Sequence, residues 1–80
     1  MTFYLITPGQ SGDTITDHNI LGEISFKTFH AGIAWEVLNR LVDSQNETAL
    51  KKMKIVDSSN KHWEIETFLT FLSTFRIVRY

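Results

Sequence analysis

The sequence predicts an α+β fold: a small two-layer sandwich of about five short strands in a largely antiparallel sheet, with two helices packed on one face. Three observations predict it. Residues 20–27 alternate in polarity with the period of a half-buried strand. In the C-terminal stretch 63–80, Phe68, Leu69, Phe71, Leu72 and Phe75 recur at helical spacing, with Glu66, Thr67, Thr70, Ser73 and Thr74 between them. The chain has 80 residues, which is one domain and too short for a doubly wound sheet with helices on both faces.

Residues 2–6 form an apolar, aromatic and branched run bounded by Pro8-Gly9, which suits a buried strand. Residues 7–19 hold Pro8, Gly9, Gly12, Ser11 and Asn19 with Asp13 and Asp17, and read as a loop. In the strand 20–27, Ile20, Gly22, Ile24 and Phe26 point inward and Leu21, Glu23, Ser25 and Lys27 outward. Gly22 marks a bulge or a close backbone contact. Thr28 is read as the N-cap of a first helix over 29–43, whose apolar face carries Ile33, Ala34, Val37, Leu38 and Leu41. Gly32 inside that helix leaves room for another element to approach.

Ser44-x-x-Glu47 has the form of a capping box ahead of a short helical turn over 48–53. A strand over 53–56, a turn over 57–61 and a strand over 62–65 follow. The amphipathic helix over 66–75 comes next, and Arg76, Ile77, Val78, Arg79 and Tyr80 suit a closing strand.

Composition narrows the function classes. The hydrophobic fraction of 42% and charged fraction of 21% are those of an ordinary globular domain. A domain of this size buries roughly 60–65% of the surface its unfolded chain exposes, so its core must be well packed or helped by self-association. There is no cysteine, so no disulfide or thiolate metal site staples the domain, and a reducing compartment is expected. No apolar run reaches the length of a membrane span, and the N-terminal segment lacks the basic and apolar regions of a signal peptide. The expected location is the cytoplasm. Net charge is −1, with two basic against five acidic side chains in residues 1–45 and six against four in residues 46–80. That balance does not favour a dedicated nucleic-acid binder.

Candidate constellations are few. Gly9, Ser11, Gly12 and Asp13 form a flexible, amide-rich loop able to cradle an anion or small ligand, although the lysine of a phosphate loop is missing. Asp13, Asp17 and His18 share that loop without matching a metal-binding pattern, and neither a metal nor another cofactor is expected. His18, His30 and His62 show no catalytic spacing, so no enzyme activity is expected. Lys51, Lys52, Lys54, Lys61, Arg76 and Arg79 would converge, with Trp63 and Tyr80 as stacking surfaces for a single strand of nucleic acid, if the closing strand paired beside strand 53–56.

The remaining signal is aromatic. A core this small is not expected to absorb Phe29, Trp35, Trp63, Phe71 and Tyr80 together, and aromatics left at a surface mark contact sites. Trp35, Trp63 and Tyr80 are therefore the expected interaction surface, for a protein partner or for a second copy of the chain in a homodimer. In size and style the chain resembles the orphan open reading frames of phages and mobile gene cassettes, such as small inhibitors and adaptors. That likeness covers no motif and assigns no residue.

Overall fold

Residues 1–6 and 17–79 are described by the structure, a computed structural model. Their order is β1 (Thr2–Ile6), a 3₁₀ turn (Asp17–Asn19), β2 (Ile20–Ser25), β3 (Thr28–Ala31), α1 (Ile33–Asp43), α2 (Glu47–Lys52), β4 (Lys54–Asp57), β5 (His62–Trp63), α3 (Ile65–Leu72) and β6 (Arg76–Val78). The strands form one sheet in the order β5-β4-β1-β2-β3-β6. Every pairing is antiparallel except β3 with β6. The α+β architecture expected from the sequence is present, with one strand and one helix more than counted there.

The extra strand corrects the expectation at Thr28. That residue does not cap a helix; it opens β3, which pairs back on β2 with Ser25 opposite Thr28 and Gly22 opposite Ala31. The two-residue turn between them is Phe26-Lys27, and Phe26 holds φ at 57°. Primed hairpin turns use that left-handed region and normally place glycine or asparagine there. With neither present, the sequence carries no turn signal. Phe26 also leaves the inward face on which alternation had set it and stands 89% exposed at the hairpin tip.

Helix α1 consequently starts four residues late, with Gly32 as its N-cap. A Cβ at Gly32 would meet the Ile20 carbonyl and come within 2.8 Å of the Ile20 Cγ2, so the glycine does serve close approach. Gly22 also behaves as read. The β1–β2 register shifts between Phe3 and Tyr4, which is the bulge, and a Cβ on Gly22 would lie 2.6 Å from the Phe29 Cε2.

Between the helices, Gln45 takes the left-handed conformation (φ 54°). Its amide bonds to the Val42 carbonyl and that of Asn46 to the Leu41 carbonyl, at 3.1 and 3.2 Å, the double closure of a Schellman ending. Asn46 then caps α2 through its side-chain oxygen, which accepts from the Ala49 amide at 3.2 Å. The capping box expected from Ser44 is therefore replaced: Ser44 ends α1 instead.

One core joins the layers. Phe3, Leu5, Leu21, Phe29, Ala31 and Ile55 from the sheet meet Ala34, Trp35 and Leu38 of α1 and Phe68 and Leu72 of α3. Both helices thus cover the same sheet face. Phe68 is the junction, its ring centroid 4.9 Å from Phe3 and 6.2 Å from Phe29. No helix among the described residues is long and apolar enough to cross a membrane.

Candidate interaction surface

The hairpin joining β4 to β5 is built by Asp57. Its side chain shares the helix-facing row with Phe3, its register partner, and is 4% exposed. Oδ1 accepts the amides of Ser59 at 2.8 Å and Lys61 at 3.0 Å. Oδ2 accepts the indole N–H of Trp63 at 2.9 Å. Asn60 turns the chain with φ at 63°, a conformation that asparagine tolerates. The hydrogen bond from Trp63, followed by that from the Lys61 amide, holds the Asp57 carboxyl below its ordinary value, because each stabilises the ionised form.

Trp63 is thereby fixed as a half-buried platform at the sheet's edge. Its ring packs against Phe3 at 5.7 Å, Phe71 at 5.2 Å and Phe68 at 6.3 Å between centroids. The Lys61 ammonium sits 4.8 Å from the indole centroid, within cation–π range. In front of the ring lies an open groove of about 820 Å³ between α2, the β4–β5 hairpin and the start of α3. Leu50, Met53, Trp63 and Ile65 give it an apolar floor, with Lys51, Lys54 and His62 on the rim facing Glu47, Glu64 and Glu66.

The other expected contact residues fall elsewhere. Trp35 is 3% exposed and stacks edge-on against Phe29 at 5.0 Å. It belongs to the core, which corrects its placement on the surface. Its helix turns toward the sheet through Ala34, Trp35 and Leu38, while Ile33 and Val37, expected inside, are exposed. The face of α1 turned to the sheet is thus shifted toward Trp35 and away from Ile33 and Val37. Tyr80 lies outside the described residues, as do Gly9, Ser11, Gly12 and Asp13 of the expected ligand loop.

The basic side chains do not converge. β6 pairs with β3, and β1, β2 and β3 separate it from β4. At about 4.8 Å per strand, Arg76 and Arg79 stand roughly 19 Å from the β4 lysine along the sheet. Among the described residues, no three His, Cys, Asp or Glu side chains gather as a metal site would require. No family model, curated protein or solved structure matches the chain.

The sequence singled out Trp63 but not the aspartate that holds it. The usable signal was an aspartate that opens a turn six residues before a tryptophan, close enough for the two side chains to meet across the hairpin. The groove's other wall was not legible, because Leu50 and Met53 meet Trp63 and Ile65 there only in the folded chain.

Proposed function

We propose that this chain is a non-enzymatic protein-interaction module, of the adaptor or inhibitor kind, which receives an apolar side chain of a protein partner in the groove before Trp63. The observation that carries the reading is a half-buried tryptophan locked by Asp57 on the floor of an open, apolar-centred groove. Tryptophans in such settings dominate interface energetics, because a rigid ring offers contact area with little ordering entropy left to lose. The alternating charges of the rim suit register with a polar partner surface more than attraction to one sign of charge. The absence of cysteine suits a cytoplasmic setting for this role. A second copy of the chain is one admissible partner.

A photo-crosslinking amino acid placed at His62 on the groove rim, with one at Glu23 on the opposite sheet face as control, tests the proposal. The expected result is a discrete adduct from the His62 position that the Lys54→Glu substitution removes, with no counterpart from Glu23. Light scattering over a concentration series shows whether the adduct is a homodimer. Equal labelling from both positions, or no adduct together with a monomeric mass throughout, overturns the reading.

A further inference from the structure

The opposite edge of the sheet carries a second surface that the groove does not use. β6 is the edge strand there, pairing in parallel with β3 through Thr28–Arg76, Phe29–Ile77 and His30–Val78. The Arg76 amide points at β3, donating to the Lys27 carbonyl at 3.0 Å. Backbone groups alternate in direction along a strand, so the Ile77 amide and carbonyl point away from the sheet. Beside them the Ile77 side chain is 39% exposed, while Phe29, next to it in the same row, is fully buried.

Two residues on from Phe29 and Ile77, on the same face, Ala31 and Arg79 line a cavity of about 430 Å³ together with Ile33, Trp35 and Glu36 at the start of α1. Trp35 lines this cavity, and its buried indole N–H has no acceptor among the described residues. Charge indicates what fits. Arg76 and Arg79 lie along the edge and Lys27 at the adjoining turn, and among the described residues that line the cavity Glu36 is the acid. A second copy would bring a like-charged edge, whose described residues hold no carboxylate of their own to meet Arg76 or Arg79. An acidic strand meets the same side chains favourably.

We propose that the β6 edge takes an extended, acidic segment of another protein as a seventh strand. The segment pairs with the Ile77 amide and carbonyl, sets carboxylates against Arg76 and Arg79, and lays an apolar residue beside Ile77 at the cavity mouth. This is strand addition, in which main-chain bonds give affinity and alternate side chains give specificity. The site is independent of the Trp63 groove, so either proposal can fail alone.

Selection of a displayed random-peptide library on the immobilised chain, at low and high salt, tests it. The expected outcome is enrichment of peptides in which a β-branched residue is flanked by acidic residues on both faces of the strand, one beside it to meet Arg76 and one two positions away to meet Arg79. Their binding weakens about tenfold or more with R76E/R79E and on N-methylation of the pairing-side peptide amides, and is unchanged by Lys54→Glu in the Trp63 groove. Binding slows hydrogen exchange at the Ile77 amide. Both arginines are exposed, and circular dichroism checks that the charge-reversed variant remains folded. Enriched peptides without acidic excess, or binding indifferent to N-methylation or charge reversal, overturn the proposal. So does a homodimer that protects the Ile77 amide.

Discussion

The two tryptophans meet opposite fates. Trp35 is almost wholly buried with an indole N–H that no described residue accepts. Trp63 is half-exposed, yet its N–H is bound to an ionised carboxylate at 2.9 Å. Ring packing decides the first case. Burying an aromatic of this size removes about 150–250 Å² from water, worth roughly 4–6 kcal/mol, against about 1–3 kcal/mol for an unmet donor. Local turn chemistry decides the second, since Asp57 must face inward to satisfy the amides of Ser59 and Lys61 and so meets the indole as well. The difference teaches that burial and polar satisfaction are set by different levels of structure. The tryptophan left at the surface is the tethered one.

The largest effect that sharpens this contrast is Trp35→Ala. It should cost about 3–5 kcal/mol, a large share of the roughly 4–12 kcal/mol available to a domain of this size. Urea unfolding measures it, and a loss below about 1 kcal/mol would remove Trp35 from the core.

A smaller effect, confined to acid, is expected from Asp57. Its folded-state pKa lies below that of an ordinary aspartate, the hydrogen bond from Trp63 being the main cause, so between the two values the folded chain binds fewer protons than the unfolded chain. The stability it contributes is present above the unfolded value and is lost as pH falls through the folded one. Unfolding midpoints measured from pH 6 down to pH 2 should therefore drop in the parent and drop less in Asp57→Asn. Identical acid profiles would mean that the hydrogen bonds to the Asp57 carboxylate, from Trp63 and from the Lys61 and Ser59 amides together, do not favour its ionised form in the folded chain.

The smallest effect expected is that of Trp35→Phe. It leaves a modest void but discards the unmet donor, so the two terms oppose each other and stability should stay within about 1 kcal/mol of the parent. Denaturant midpoints and the near-ultraviolet dichroism of the remaining tryptophan provide the check. A substantially larger loss would mean that the indole N–H has a partner after all.

Much of this was legible in local pattern. The period of residues 66–75 located α3, with Phe68 and Leu72 buried and Leu69 and Phe71 packed around them, although the helix ends at Leu72 and Phe75 packs from the turn beyond it. The turn chemistry of residues 57–61 placed the hairpin that presents Trp63, and Gly22 announced its bulge. What failed was punctuation without its usual residues. Phe26 turns a hairpin and Gln45 ends a helix, both with positive φ, at a cost of roughly 1–2 kcal/mol each that tertiary contacts must offset.

The sequence alone therefore determined the α+β class, the apolar face of α3, and the candidacy of Trp63, because periodicity and turn preference act within a few residues. The tertiary structure decided that β3 exists and that β6 lies beside it, far from β4. It also decided which tryptophan is enclosed and which stands at a groove. These outcomes depend on strand pairings between residues distant in the chain, such as Phe29 with Ile77 and Phe3 with Asp57, and the energy of such pairings is realised only once the whole sheet has formed.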